Sequence, residues 1–330
     1  MNPHFDVVAM GNAIVDMIAR ADESFLLAQK LVKGSMSLTD EASANALYAA
    51  MGPTTEISGG SAANTVAGLA SLGGRAAYIG KVKNDDAGRA FAHDIRAAGV
   101  AFKTAPAQSG PATARCMVLV TPDGERTMKV FLGASVELGP DDVDAALIED
   151  SAILYLEGYL WDPPLAKQAF VKAAGLARAK GRRIALSLSD SFCVDRYRDE
   201  FLQLIRTRVV DIVFCNESEL RSLYATADLD TALRALHAEN VTGFVTRSGE
   251  GCVIVDGGQS QTVPAAPIQK LVDTTGAGDL FAAGALYGLS RGAPLRRCAE
   301  IGALAAAEIV QHFGARPETS LANLLQQSGL

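Results

Sequence analysis

Seven residues, Asp273-Thr274-Thr275-Gly276-Ala277-Gly278-Asp279, run straight into Leu280-Phe281-Ala282-Ala283-Gly284-Ala285-Leu286. The second segment is apolar on nearly every side, the pattern of a helix buried all round. The polar, glycine-rich turn therefore sits at that helix's N-terminus. Free N–H groups and the positive end of the helix dipole converge there, which suits an anion such as phosphate. Gly276 and Gly278 permit close backbone approach. Asp279 is the odd member, because a carboxylate repels phosphate. It makes sense as the acceptor of a proton from a hydroxyl that attacks a phosphorus held by the turn. The structural alternative is an ordinary loop whose aspartate caps a helix.

The chain around this turn has 330 residues, compatible with one large α/β domain plus an appendage or with two domains. With 49% hydrophobic and 20% charged residues it is a globular sequence, not a disordered one. A formal charge of −7 without a long basic run argues against nucleic acid and anionic membranes as partners. A phosphate site must then be built from local amides and a few cations. The start, Met1 to Met10, has no basic region and carries Asp6 within its apolar stretch, unlike a signal peptide. The apolar runs near 280–289 and 301–310 are too short to span a membrane. Five scattered cysteines, Cys116, Cys193, Cys215, Cys252 and Cys298, show no metal or redox spacing. Together these features lead us to expect a cytoplasmic protein. No spaced histidine pair suggests zinc, no Gly-x-x-x-x-Gly-Lys-Ser/Thr loop occurs, and no Gly-x-Gly-x-x-Gly follows the first strand. P-loop kinases and dinucleotide oxidoreductases are disfavoured accordingly.

From the N-terminus, Phe5–Gly11 reads as a strand ending at glycine, followed by Asn12 and then Ile14–Ala19 in alternation. That alternation puts Asp16 among apolar side chains, where it needs partners. It is either a satisfied structural aspartate or a carboxylate that accepts hydrogen bonds from two neighbouring hydroxyls. Residues 34–38 form a short strand. Gly59-Gly60 opens a small-residue helix in which Asn64 lies one turn from the open N-terminus. Strand-like runs at 114–120 and 125–132, joined by Thr121-Pro122-Asp123-Gly124, form a hairpin. With the strands near 14–19 and 34–38 it makes a small separate sheet. From residue 150 strands at 152–156, 183–188, 209–215, 243–246 and 252–255 alternate with helices at 164–179, 196–207, 217–224, 230–238 and 294–312. A last short helix covers 320–327. Such alternation predicts a mainly parallel sheet covered on both faces, with ligands beyond the carboxyl ends of its strands. At one such end Asn216 and Glu219 have capping-box spacing. At another, Thr246-Arg247-Ser248-Gly249-Glu250-Gly251 forms a polar, glycine-containing loop.

The Asp-Thr-Thr-Gly-Ala-Gly-Asp string resembles the second signature of the ribokinase-like (PfkB) sugar and nucleoside kinases. Gly59-Gly60 with Asn64 resembles the first, and Gly11-Asn12-x-x-x-Asp16 the N-terminal substrate motif. Residues 127–135 resemble a segment of the adenosine-kinase-like and ribokinase members. The resemblance spans Gly11 to Gly314 with its motifs in family order. It implies a three-layer α/β/α fold over 1–330, with a β lid assembled from about 12–40 and 108–135. It implies ATP-dependent phosphorylation of a primary hydroxyl, with adenosine or another ribofuranosyl compound preferred over the ribose or fructose of related enzymes. A non-catalytic nucleotide or sugar sensor on the same fold is the alternative of another class. Carried over residue by residue, Asp279 is the base, and the amides of Gly276, Ala277 and Gly278 form the anion hole. Asn12, Asp16, Gly59, Gly60 and Asn64 hold the substrate. Asn216, Thr246, Arg247, Gly249 and Gly251 serve the nucleotide. Glu219 stands in the outer shell of Mg²⁺, and Asp273 and Thr275 lend oxygens to a monovalent cation, K⁺. Pairing of two copies through the lid edges is a further expectation.

Overall fold

The runs Val7–Met10 and Ala152–Leu156 are apolar at consecutive positions, which suits strands buried on both faces. The computed structural model of the protein, described over residues 3–330, places them at the centre of such a sheet. Its strands in chain order are β1 (Phe5–Met10), β2 (Ile14–Arg20), β3 (Met36–Leu38), β4 (Thr55–Gly59), β5 (Ala76–Ile79), β6 (Ala101–Phe102), β7 (Ala114–Val120), β8 (Arg126–Phe131), β9 (Ser151–Glu157), β10 (Arg183–Ser187), β11 (Ile212–Asn216), β12 (Thr242–Thr246), β13 (Cys252–Asp256) and β14 (Gln259–Val263).

Nine of them form one sheet in the order β14-β13-β12-β11-β10-β9-β1-β5-β6. All neighbours from β12 to β6 run parallel, and only β13 and β14 return antiparallel. Alternate residues feed two cores. Val7 and Ala9 pack with Tyr155, Phe214, Phe244 and the helices Ser61–Ser71, Ala277–Ser290 and Leu295–Ile309. Val8 and Met10 pack on the other face with Leu154, Leu156 and the helices Pro164–Ala179 and Ser191–Arg206. The fold is thus the mainly parallel three-layer α/β/α arrangement expected from the sequence, with a second, smaller sheet. Strand order reverses at β1, because β5 and β6 continue to one side and β9 to β12 to the other. A crevice opens beyond the carboxyl ends of strands at such a switch point.

The smaller sheet has the order β3-β8-β7-β2-β4. The segments 12–40 and 108–135 supply four of its strands. The fifth, β4, was not legible: Thr55, Glu56 and Ser58 give no apolar alternation, and the strand exists because it pairs antiparallel with β2. The polar edge strand β14 (Gln-Ser-Gln-Thr-Val) escaped for the same reason. The helix expected at 196–207 begins at Ser191, where Asp190 accepts a hydrogen bond from Cys193 N at 2.7 Å. The backbone kinks at Tyr197. The helix expected to reach residue 312 ends at Ile309. The Pro122-Asp123-Gly124 hairpin turn forms as expected, with Gly124 at φ +84°. Among the described residues no helix is long and apolar enough to cross a membrane, and all five cysteines are free and buried.

The helix Ala277–Ser290 that carries the glycine-rich turn lies against Leu295–Ile309 at very short range. A Cβ built on Gly284 would come within 2.6 Å of the Gly302 Cα. Replacing Gly284 by Val should force these helices apart and cost about 1–3 kcal/mol. A denaturant midpoint equal to wild type would overturn that account of the packing.

Candidate active site

At the N-terminus of the helix Ala277–Ser290, Gly276 occupies the cap in the left-handed region at φ +78°. A Cβ there would press on the Ala315 Cβ at 2.8 Å. The Ala277 amide closes a turn on the Thr274 carbonyl at 3.2 Å. Of the three amides expected to form an anion hole, those of Gly276 and Gly278 are therefore the unengaged ones among the described residues. The Ala277 amide is spent on the turn itself. A Cβ on Gly278 would meet nothing within 4 Å, so the space above this turn is open.

Asp279, in the first turn of the same helix, is held at both oxygens. Ser61 Oγ donates to Oδ1 at 2.6 Å and Asn64 Nδ2 donates to Oδ2 at 3.0 Å. Both donors lie in the helix Ser61–Ser71, which follows Gly59-Gly60. Gly60 caps it at φ +96°, with its Cβ position only 2.1 Å from the Asn12 carbonyl oxygen. The β2–β4 register pairs Ile14 with Gly59, so the Asp16 carboxylate lies against Gly59, 2.4 Å from where a Cβ would be. No side chain larger than hydrogen fits between them. Asp16, Gly59, Gly60, Asn64 and Asp279, far apart in sequence, thus meet at one place. The amide oxygens of Asn12 and Asn64 are buried there without a hydrogen-bond partner. Buried acceptors left open in this way suit the hydroxyls of a ligand.

Enclosure by protein atoms governs the charges. Desolvation pushes Asp16 up to about 7, opposed by Arg316 and Arg126 and assisted by Asp279. The Asp279 carboxyl is likewise raised by desolvation, with Ser61, Asn64 and Arg316 pulling the other way. Solvent still reaches part of both side chains, as it must if a substrate is to do so.

The nucleotide-side candidates gather at the ends of β11 and β12, where Asn216 pairs with Thr246. Asn216 and Glu219 form the full capping box: the Glu219 carboxylate accepts from Asn216 N at 3.0 Å and Nδ2 at 2.7 Å, and Glu219 N donates back at 2.9 Å. Burial raises the Glu219 carboxyl to about 7. Ser248 takes φ +50°, so the 246–251 loop adopts a left-handed turn without a glycine at that point. Gly251 follows at φ +92°, its Cβ position blocked by the Val263 carbonyl at 2.1 Å. Gly249 faces open space. Arg247 is held by two carboxylates. Its Nε donates to Glu217 at 2.6 Å and an Nη contacts Glu250 at 2.5 Å. Two carboxylates therefore already neutralise it.

Asp273 is also engaged. Its Oδ1 accepts from Thr275 N at 3.0 Å, its Oδ2 accepts from Gly314 N at 3.1 Å, and the buried Arg126 guanidinium of β8 sits in ion-pair contact with it. The small sheet thereby touches the glycine-rich turn directly.

Four residues of this cluster escaped the sequence reading. Ser61 lies within the recognised glycine pair–asparagine stretch and was legible there as a hydroxyl beside Asn64. Glu157 ends β9, an acid directly after an apolar run. Burial raises it to about 7, and it accepts from Asn12 N, Asn12 Nδ2 and Ala62 N at 3.3, 3.1 and 3.0 Å. Arg126 and Arg316 carry no local signal at all. Concavities of about 210 Å³, lined by Arg20, Asp22 and Met51, and about 380 Å³, lined by Asp6, Arg75 and Arg291, are both lined by residues outside this cluster.

Comparison with known proteins follows the same outline. The model of the pfkB family carbohydrate kinases matches residues 37–321. The chain superposes with a TM-score of 0.93 on the crystal structure of adenosine kinase from Sinorhizobium meliloti, at 52% identity, covering 98% of this chain and 99% of that one. It superposes with a TM-score of 0.94 on a "probable sugar kinase protein" from Rhizobium etli CFN 42, at 51% identity and 99% coverage of both chains. It is 28% identical to adenosine kinase of Saccharomyces cerevisiae over 93% of this chain and 95% of that protein.

The two glycines of the turn should respond differently to alanine. Gly276→Ala combines a left-handed backbone with a clash against Ala315 and should destabilise by roughly 1–3 kcal/mol. Gly278→Ala should leave the melting temperature unchanged or slightly raised, while filling the space an anion would use. Equal thermal stability of the two variants would refute this geometry.

Proposed function

This chain belongs to the pfkB family of carbohydrate kinases and is a sugar or nucleoside kinase, and on that premise we propose that its acceptor is adenosine or a closely similar ribofuranosyl nucleoside. The observation that carries the reading is Asp279, set at the open N-terminus of a buried helix and held by Ser61 and Asn64 of the segment that carries Gly59-Gly60. A base, anion-binding amides and unsatisfied amide acceptors converge there. The 52% identity to an adenosine kinase supports the choice of acceptor.

In this mechanism Asp16, Asn64 and the Gly59-Gly60 backbone hold two ring hydroxyls. The open amide oxygen of Asn12 receives a third group of the acceptor. Asp279 takes the proton of the primary hydroxyl as its oxygen bonds to the γ-phosphorus of ATP and the bond from that phosphorus to the β,γ-bridging oxygen breaks, releasing ADP. The free amides of Gly276 and Gly278 neutralise charge on the transferring group, and positioning supplies most of the rest. Among the described residues no cluster of three acidic, histidine or cysteine side chains could hold a metal directly. Glu219 would hold a Mg²⁺ ion on the nucleotide through water. The ion supplies charge neutralisation on the phosphates. Thr246, Gly249 and Gly251, beside Asn216, line the nucleotide's side of the crevice. Arg247 reaches a phosphate only by leaving Glu217 or Glu250. K⁺ and the Arg126 guanidinium are alternative partners for the Asp273 carboxylate. The small sheet acts as a lid that excludes water and so prevents futile hydrolysis.

An ADP-release assay with Mg-ATP, with and without K⁺, across adenosine, other nucleosides, ribose and fructose tests this reading. We expect turnover with adenosine, lowered on the order of 100- to 10,000-fold in Asp279→Asn. Turnover that survives the substitution removes Asp279 as base, turnover confined to ribose or fructose overturns the nucleoside assignment, and ATP binding without any turnover favours a sensor. Loss of rate without K⁺ would show that the cation, not Arg126, serves Asp273.

The edge strand β3 exposes Met36 and Leu38 to solvent at 43% and 57%. Two copies pair through this edge in the proposed assembly. Light scattering should return twice the monomer mass, falling to one copy in a Met36→Lys/Leu38→Lys variant, and a wild-type monomer at micromolar concentration would refute pairing.

A further inference from the structure

The segment after the helix Leu295–Ile309 carries no strand and only a terminal helix, yet it is tied down at every step. Gly314 N donates to Asp273. Glu308, buried, accepts from Glu318 N, Thr319 N and Thr319 Oγ1 at 3.0 Å each, and Leu321 N donates to Ser71 Oγ at 3.1 Å. Between these anchors Arg316 turns inward. Each of its three nitrogens finds a different acceptor: Nε donates to the Ser58 carbonyl at 3.0 Å, one Nη to the Ala63 carbonyl at 2.6 Å and the other to Ser58 Oγ at 3.2 Å. Ser58 immediately precedes Gly59-Gly60, and Ala63 immediately precedes Asn64. The guanidinium thus spans both ends of the segment that lies against Asp16 and grips Asp279.

We propose that Arg316 is a positioning residue of the phosphoryl-transfer site, clamping the Ser58–Asn64 segment in register with Asp279 and supplying the positive charge against which Asp16 and Asp279 share one site. The inference rests on the kinase reading above and adds a residue to it.

Two physical features support it. The first is geometric. A planar guanidinium is the side chain able to satisfy three acceptors at once, whereas a lysine supplies charge without the fork. The second is electrostatic. The groups facing Arg316 are Asp16 on β2, Asp279 on the helix Ala277–Ser290, Asp94 on the helix Asp86–Ala97 and the buried Tyr78 hydroxyl on β5. Asp94 also accepts from Ser58 N at 3.4 Å. Arg126 on β8 faces Asp16 as well, and Glu157 on β9 stands behind Asn12. Burial lowers the Arg316 guanidinium to about 10, still fully charged at neutral pH. Its charge draws both raised carboxyls back toward ionisation. Asp279 works only as a carboxylate. Removing the cation should raise its pKa, so the acid limb of the rate profile should move upward.

The experiment compares Arg316→Gln and Arg316→Lys with wild type. It reads acceptor KM and kcat separately, kcat/KM against pH, and the titration of the Asp279 carboxyl by ¹³C NMR, assigned with Asp279→Asn. We expect Arg316→Gln to shift both the acid limb and the NMR titration upward by about one pH unit. Arg316→Lys should leave both within a few tenths of wild type while still raising acceptor KM several-fold, because the fork is lost. Should the glutamine variant fail to fold, the lysine variant decides the clamp and Arg316→Met, neutral and of similar length, takes the glutamine variant's place in the titration. Unchanged KM in the lysine variant overturns the clamp, and an unmoved titration in the glutamine variant overturns the charge role. A wild-type protein without kinase activity would fail the functional reading only, since the NMR titration tests Arg316 without turnover.

Discussion

A carboxylate held at the open N-terminus of a buried helix is the constraint on which the rest depends. The N-terminus of the helix Ala277–Ser290 attracts negative charge, yet its first turn carries Asp279. That carboxylate is tolerable because Ser61 and Asn64 donate to its two oxygens and a buried guanidinium stands nearby. The same enclosure that makes it costly gives it a raised proton affinity, which suits the base role proposed for it. The amides of Gly276 and Gly278 remain without a hydrogen-bond partner among the described residues at the same terminus.

The fold serves this arrangement through the reversal of strand order at β1. Asn12 leaves β1 and Glu157 ends the neighbouring β9. Their side chains join in the gap between the strands, where Glu157 also reaches the amide of Ala62. One buried carboxylate therefore connects Asn12 with the helix that carries Ser61 and Asn64. Acids recur around this site: Asp16, Glu157, Glu219 and Asp279 are all shifted upward by burial. Arginines answer them from distant parts of the chain, Arg126 from the small sheet and Arg316 from the C-terminal segment. The Arg126–Asp273 contact gives the small sheet a polar attachment to the glycine-rich turn, in addition to the chain connections between the two sheets.

Much of this was legible in the residues themselves. Consecutive apolar positions marked the buried parallel strands, because only burial on both faces permits them. The all-round apolar segment after Asp279 marked a buried helix, and the glycines before it marked a backbone that must come close to something. Asp16 stood out as a charge on an apolar face, and Asn216 with Glu219 as a cap, which the structure realises with every donor and acceptor paired. These are local signals, read from periodicity and turn chemistry over a few residues.

What only the tertiary structure decided is which distant groups share a charge. Ser61 and Asp279 are 218 residues apart, and Arg316 and Ser58 are 258 apart. No periodicity links such positions. Strand β4 lacks an apolar pattern because pairing with β2, not burial of its own side chains, makes it a strand. Arg316 sits in a stretch without regular structure, where an arginine is ordinarily a solvated surface residue. Its inward turn is matched by the Ser58 and Ala63 carbonyls and the Ser58 hydroxyl that accept its three nitrogens, and by two carboxylates that burial has largely desolvated. The sequence by itself determined the layers and the glycine-rich turn that opens a buried helix onto Asp279. Packing alone determined the counter-ions, because a buried charge takes its partner from whatever the fold brings near.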